Sequence, residues 1–193
     1  MNISRTCGRR TAAAFAAVAL PLSLGVFAPQ AWAGQGDEPF GSGCAAVPKQ
    51  GAGSFTAMAG EPVATAASHN PALSTLVSAA RQAGLVDTLN NAKDITLFAP
   101  TNEAFAKIPK ADLDKVLADK AKLTKILTYH VVDRTVDKGD LADGSFKTLE
   151  GGTLTTAGSG DSYKVDGAAT IVCGDVATSN ATVHLIDTVL MPK

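Results

Sequence analysis

The chain has 193 residues and nearly balanced charge, with 17 Lys and Arg against 18 Asp and Glu. This balance argues against nucleic acid as a partner, because binding a phosphate backbone requires a cluster of basic residues. Lysines and acidic residues are interspersed, which also argues against electrostatic docking on a membrane.

The first 33 residues predict a cleaved export signal. Three arginines within the first ten residues precede an apolar stretch from 11 to 27, and Ala31-Trp32-Ala33 has the small-x-small pattern of a cleavage site. We therefore expect a secreted, extracellular protein whose mature chain begins at Gly34. The pattern favours general secretion and leaves twin-arginine export open.

A retained membrane helix is the alternative interpretation of this segment. The apolar stretch contains Pro21 and Gly25, and it is shorter than the roughly 20 apolar residues that cross a bilayer. We therefore expect no stable membrane insertion.

Removal of the signal leaves 160 residues, which is a suitable length for one domain. The three arginines leave with it, so 14 basic residues remain against 18 acidic ones and the net charge becomes −4. We expect a monomer with a solvated, mildly acidic surface.

Residues 34–60 differ in composition from the remainder of the chain. They are rich in glycine, contain Pro39 and Pro48, and show no sustained periodicity, so we expect an extended lead-in segment followed by a domain over 61–193. The two cysteines of the mature chain, Cys44 and Cys173, predict one disulfide that ties this segment to the domain. A redox pair or metal ligands are the alternatives, but a C-x-x-C spacing is absent.

Helical patterns dominate from residue 61 to residue 129. Asn70-Pro71 predicts a cap before an amphipathic helix that Gly84 ends. After a buried strand at 95–99, we expect Asn102 to cap the next helix and Asp119 to cap the second of two further helices.

The second half of the chain has the composition of short strands. Glycine-rich turns divide the segments 153–157, 162–165, 169–173 and 183–190, and Asp166-Gly167 predicts a hairpin. Helices followed by strands predict an α+β fold, with helices packed against a sheet.

Sequence signals for catalysis or for a cofactor are weak. The three histidines, His69, His130 and His184, are far apart in sequence and belong to no metal-binding pattern. The G-x-S-x-G nucleophile turn, the P-loop and the dinucleotide fingerprint are all missing from the sequence. We therefore expect a protein that is not an enzyme and that has no cofactor or metal site.

Three ordered stretches carry a resemblance to a known family. They are Thr96 to Phe105 (TLFAPTNEAF), Tyr129 to Val132 (YHVV) and Asn180 to Leu190 (NATVHLIDTVL). In order and spacing they resemble the first block, the Tyr-His motif and the second block of a fasciclin (FAS1) domain. With one cysteine at each end of the mature chain, the arrangement is most similar to the secreted single-domain fasciclin antigens of mycobacteria and related actinobacteria.

The resemblance implies a wedge-shaped β-sandwich with helices packed along one edge. It also implies a non-catalytic cell-adhesion or interaction module whose partner is an extracellular protein or glycan. An extracellular carrier of a small lipid-like ligand, bound between helices and sheet, is the alternative function.

The resemblance also suggests candidate contact residues. Tyr129 and His130 match a motif linked to adhesion, although a core position is the preferred interpretation of both. Asp175 and Val176 match the place of an integrin-contacting Asp-Ile pair, and we expect Asp175 to be a loop carboxylate; the residues on either side depart from that pattern. The remaining motif residues are expected to serve structure, as turn, cap or core positions: Thr101, Asn102, Asn180, His184 and Asp187.

Overall fold

The computed structural model describes residues 38–192. The predicted signal at 1–33 and the expected mature start at Gly34 lie outside these described residues. None of the helices formed by residues 38–192 is long and apolar enough to span a membrane.

Helices occupy most of the first half of the described chain. The α-helices are α1 Phe55–Met58, α2 Val63–His69, α3 Ser74–Ala83, α4 Val86–Asn91, α5 Asn102–Ala106, α6 Lys110–Ala118 and α7 Lys120–Tyr129. Short 3-10 helices lie at Ser42–Ala46, Pro71–Leu73 and Lys138–Ala142.

Seven strands form one mixed sheet in the order β2-β1-β7-β6-β5-β4-β3. The strands are β1 Ile95–Pro100, β2 Val131–Val132, β3 Asp143–Lys147, β4 Thr153–Ser159, β5 Ser162–Val165, β6 Ala169–Ala177 and β7 Ala181–Ile186. Strands β1 and β7 pair in parallel, whereas all the other pairs are antiparallel.

The two outer strands of this sheet meet, so that the sheet nearly closes into a barrel. Val132 forms an antiparallel bridge with Thr148, just beyond the end of β3. The amide of Leu149 donates to the carbonyl of Val131 at 2.8 Å. The predicted sandwich is therefore continuous: β6 joins its two halves, and β2 approaches β3 on the other side.

Two hydrophobic cores lie on opposite faces of the central strands. One core packs the helices against β1, β6 and β7, and includes Leu76, Leu97 and Leu185. The other core fills the interior of the curved sheet and includes Phe98 and Leu154. The predicted α+β architecture is confirmed, with the helices gathered on one side of the sheet.

Most of the predicted helix ends are confirmed. The side chain of Asn70 accepts from the amide of Ala72, and Asp119 accepts from two amides at the start of α7. Gly84 ends α3 in the left-handed conformation, with φ of 77°. The prediction that Asn102 caps α5 is wrong: Thr101 is the cap, accepting from the amide of Ala104.

The strand predictions were less complete. The hairpin at Asp166-Gly167 is confirmed, with φ of 52° and 68°. Strand β6 runs four residues beyond the predicted end at Cys173, whereas β7 ends at Ile186, short of the predicted Leu190. Strands β2 and β3 were not predicted from the sequence.

The described part of the lead-in segment, residues 38–60, is not extended, contrary to the prediction. It contains a 3-10 helix and α1, and Phe40 exchanges two backbone hydrogen bonds with Gly174 of β6 at 3.2 and 2.8 Å. A Cβ atom at position 174 would overlap the Phe40 ring, so glycine permits this close packing. The predicted bond between Cys44 and Cys173 is present and holds the segment on β6.

Loss of this disulfide should lower the free energy of unfolding by about 2 to 5 kcal/mol, because the bond closes a long loop in the unfolded chain. The cysteines are 129 residues apart. The test compares urea unfolding of the oxidised protein with that of a variant carrying Cys44→Ala and Cys173→Ala. Reductant should destabilise the wild type and leave the variant unaffected. Two titratable thiols in the unfolded, unreduced mature protein would contradict the bond.

Candidate functional site

Asn180 ties the start of the third motif stretch to the helices. Its side-chain oxygen accepts from the amide of Val63 at 2.8 Å. Its side-chain nitrogen lies 2.8 Å from the carbonyl oxygen of Leu89, 3.3 Å from that of Asn90 and 2.7 Å from that of Ala92. The predicted structural role of Asn180 therefore corresponds to a direct contact with the termini of α2 and α4.

Tyr129 spans the interior between α7 and the hairpin after β5. Its ring is 3% exposed, and its hydroxyl lies 2.8 Å from Oδ2 of Asp166 and 3.0 Å from the carbonyl oxygen of Thr153. Burial, followed by the hydrogen bond to Asp166, raises the pKa of Tyr129 to about 12. The hydroxyl therefore serves as a fixed hydrogen-bond donor at neutral pH.

His130 is fully buried at the C-terminal end of α7. Its Nε2 accepts from the amide of Leu190 at 3.0 Å, so the ring proton lies on Nδ1, which donates to the carbonyl of Ile126 at 2.8 Å. Burial lowers the pKa of His130 to about 4. The neutral ring joins α7 to the segment after β7.

His184 and Asp175 lie together in the sheet interior. The amide of Asp175 donates to Nδ1 of His184 at 3.2 Å, so Nε2 carries the proton and donates to the carbonyl of Val136 at 2.9 Å. Oδ1 of Asp175 is 4.0 Å from Nε2, but burial lowers the pKa of His184 to about 4 and the ring stays neutral. Oδ2 of Asp175 accepts from the amide of Lys138 at 3.1 Å.

The four candidate contact residues are all buried. Asp175 and Tyr129 are 3% exposed, and Val176 and His130 are 0% exposed. The prediction that Asp175 lies on an exposed loop is wrong. It belongs to β6, at an irregularity in the pairing with β7 where its φ is 54° and its carboxylate turns inward.

A surface groove brings other motif residues together. It has a volume of about 360 Å³ and lies between the 3-10 helix at Ser42–Ala46 and the start of α5. Strands β6 and β7 contribute Val172 and Leu185 to it. Three of the predicted structural residues line it, together with one acid that was not predicted as a site residue: Thr101, Asn102, Asp187 and Glu103.

The side chains of Thr101 and Asn102 are held by internal hydrogen bonds. Thr101 accepts from the amide of Ala104 as the cap of α5. The Asn102 oxygen accepts from the amide of Thr75 at 3.0 Å, and its nitrogen donates to the carbonyl of Pro71 at 2.8 Å. Asn102 thus fixes the start of α3 beside the groove instead of capping its own helix.

Asp187 is similarly fixed. Its carboxylate accepts from the amide of Thr170 at 2.7 Å and pairs with Nζ of Lys107 at 2.9 Å. Partial burial raises the pKa of Asp187, but these hydrogen bonds outweigh that effect and lower it overall. Glu103, by contrast, is exposed, and its side chain has no partner among residues 38–192.

An apolar cavity of about 120 Å³ lies elsewhere, between the helices and β1. Helices α2, α3 and α4 form its walls, and Leu97, Leu127 and His130 also line it. Arg81 is its charged lining residue. This space was not predicted from the sequence, because residues from five elements enclose it.

A metal centre was not expected from the sequence. The part of the chain that the structure describes holds no group of three or more His, Cys, Asp or Glu side chains placed to bind a metal ion.

The comparisons with known proteins agree with this architecture. The family model described as fasciclin domain matches residues 71–192, which is more than half of the chain. The chain belongs to the fasciclin domain family. The domain's three motif stretches supply a buried tyrosine and histidine, the groove wall, and the strand that pairs with β1.

Relatives extend the similarity beyond the fasciclin domain. The chain is 44% identical to the immunogenic protein MPB70 of Mycobacterium bovis, over 94% of this chain and 95% of the relative. It is 49% identical to the cell surface glycolipoprotein MPB83 of the same species, over 79% of this chain and 71% of the relative. The predicted similarity to mycobacterial fasciclin antigens is confirmed.

A solved structure supports the fold alone. It is the FAS1 domain pair from the insect cell adhesion molecule Fasciclin I, with a TM-score of 0.56 and 19% identity. The match covers 68% of this chain and 51% of that chain.

Asp175→Ala should destabilise this fasciclin domain by about 2 to 4 kcal/mol, because the amide of Lys138 loses a buried acceptor and alanine disfavours a positive φ. Asp133, which is exposed, provides the matched control, since Asp133→Ala should change stability by less than about 0.5 kcal/mol. Chemical unfolding of both variants measures the difference. Equal effects of the two substitutions would contradict the buried role of Asp175.

Stability should fall as the pH decreases from about 6.5 to about 4, because His130 and His184 are held neutral in the folded state. The unfolded chain binds protons on these rings first, so the stabilising contribution is complete above pH 6.5. The expected loss at pH 5 is about 2 kcal/mol per histidine. Unfolding free energies measured from pH 7.5 to 5 test this.

The exposed His69 provides the control for the pH series. His69→Gln should retain the decline in stability. If the stability of the wild type is constant between pH 7.5 and 5, the buried rings are not held neutral. If the decline in stability disappears in His69→Gln, it arises from the exposed histidine instead of the buried ones.

Proposed function

We propose that this protein is a secreted, monomeric, non-catalytic adhesion module that binds an extracellular protein or glycan. The membership of the fasciclin family and the similarity to a relative named as a cell surface glycolipoprotein support an extracellular or surface location. The groove beside the 3-10 helix at Ser42–Ala46 is the proposed contact surface. Neither nucleic acid nor membrane insertion is part of the proposal.

The arrangement of the groove is the observation that carries this proposal. Two motif stretches that are far apart in sequence contribute Thr101, Asn102 and Asp187 to one wall. Their polar atoms are committed to internal hydrogen bonds, so the wall keeps its shape without a ligand. A preformed surface of this kind favours recognition, because little conformational entropy is lost on binding.

The same hydrogen bonds argue against catalysis at this surface. A general acid or base must exchange protons with a substrate, whereas the carboxylate of Asp187 is held by Lys107 and by the amide of Thr170. The two buried histidines are neutral and have both ring nitrogens engaged. Glu103 remains as the accessible charged group on the groove wall, and we assign it the contact with a donor group of the partner.

The alternative function as a lipid carrier has less support. Ligand pockets of carriers and enzymes are usually about 300 to 1,000 Å³, and the apolar cavity measures about 120 Å³. It does not enclose a complete lipid. Native mass spectrometry of the purified protein tests this alternative, because a carrier retains a ligand of lipid mass.

The proposed contact surface predicts a loss of binding when the charge on the groove wall is reversed. Glu103→Lys should weaken binding to the partner at least tenfold. The substitution replaces the hydrogen-bond acceptor of Glu103 with a positively charged donor, which cannot pair with a donor group of the partner. Immobilised wild-type protein first selects a partner from cell-surface extracts, and protease or periodate treatment of the extract identifies it as protein or glycan. Surface plasmon resonance then compares the variants.

Asp114→Lys is the matched control, because Asp114 is also an exposed helical acid and does not line the groove. It should bind as the wild type does. If Glu103→Lys binds as tightly as the wild type and has the same melting temperature, the contact lies outside the groove. Failure of the wild type to retain any macromolecule from extracts would contradict the adhesion function.

A further inference from the structure

The apolar cavity between α2, α3 and α4 exists because small side chains face one another there. Ala64 and Ala67 of α2 lie opposite Ala80 of α3, and Leu97 and Leu127 close the inner side. Larger apolar residues at the three alanine positions would fill this space, as they do elsewhere in the core. The result is a cavity of about 120 Å³ with almost entirely apolar walls.

The lining of this cavity also includes a charged side chain, that of Arg81. It is an exposed residue of α3 that lines the cavity, and its guanidinium has no hydrogen bond or ion pair within residues 38–192. The other arginine among residues 38–192 differs: Arg134 pairs with Asp140 at 3.0 Å and lies 5.0 Å from the centre of the Phe146 ring. Thr65 and Ser68 are the neutral polar residues of the cavity lining.

We propose that this cavity binds the apolar end of a small anionic amphiphile, with the anionic headgroup at Arg81. An apolar cavity of about 150 Å³ accepts a six-carbon ring, so a space of about 120 Å³ suits an alkyl end of about five carbons. Arginine binds carboxylate and phosphate groups through paired hydrogen bonds. The headgroup chemistry is therefore a carboxylate or a phosphate monoester on a short alkyl chain.

This site is separate from the proposed contact surface. Its lining residues differ from those of the groove. The inference goes beyond the adhesion function and does not depend on it. It also differs from the lipid carrier, since one end of an amphiphile enters the cavity and the headgroup stays at the rim.

A titration of the purified protein with hexanoate tests the proposal. We expect saturable changes in the amide NMR signals of Thr65, Ala67, Val77 and Ala80, with a dissociation constant on the order of 1 mM for a ligand of this size. Acetate has the charge without the chain and should cause no such changes. Hexan-1-ol has the chain without the charge and should bind about fivefold more weakly. Hexyl phosphate binding more tightly than hexanoate would identify a phosphate headgroup, and weaker binding a carboxylate.

Two variants separate the charge from the cavity. Arg81→Gln should weaken hexanoate binding about fivefold and leave hexan-1-ol binding unchanged, because only the charged contact is lost. Ala80→Leu fills the space and should abolish binding of both probes. If Ala80→Leu does not fold, Ala67→Val is the smaller substitution, and it should weaken both.

The controls are Arg134→Gln and Ala118→Leu, which change an arginine and an exposed helical alanine outside the cavity. Both should bind hexanoate as the wild type does. The proposal is overturned if hexanoate causes no saturable change at the cavity residues. It is also overturned if Ala80→Leu, in a folded protein, binds like the wild type, or if Arg81→Gln weakens hexanoate and hexan-1-ol equally.

Discussion

The parallel pairing of β1 with β7 is the constraint on which the rest of the structure depends. Both strands are buried along nearly their whole length, and side chains alternate between the two cores as the strand period of two requires. Leu97 and Leu185 face the helices, whereas Phe98 and Ile186 face the interior of the curved sheet. One ladder thus organises both cores, and it joins strands about 80 residues apart, so it forms only after a long loop closes.

Two polar side chains in this ladder determine the path of the chain after β2. Thr96 accepts from the amide of Val136 at 2.8 Å, and His184 donates to the carbonyl of the same residue at 2.9 Å. A buried peptide group without partners would cost about 1 to 3 kcal/mol for each unpaired atom. The ladder therefore does more than bury apolar surface, because it also satisfies both the amide and the carbonyl of the buried Val136. The histidine of the third motif stretch is a structural residue for this reason.

Local signals predicted the helical half of the fold better than the sheet. A cap acts within three residues of itself, so Asn70 and Asp119 could be recognised from their neighbours alone. Asn102 shows where such local signals fail. Thr101 precedes it and caps α5, so the side-chain amide of Asn102 is available to bind the start of α3. The extension of β6 through Asp175 depends on its partner β7 and on His184, which lie outside any local window.

The candidate site was predictable only as far as its residues share a motif. The pairing of Cys44 with Cys173 followed from a count of two, but the groove that it helps to shape needs five separate elements. Asn102 and Asp187 were expected to be structural, and their hydrogen bonds to α3 and β6 agree with that role. The same bonds make these residues part of the groove wall, so substituting either one disturbs the fold and the surface together. Glu103 lines the same groove, but its side chain makes no hydrogen bond or ion pair with another described residue, so the proposed contact can be tested there without removing a bond that holds the wall.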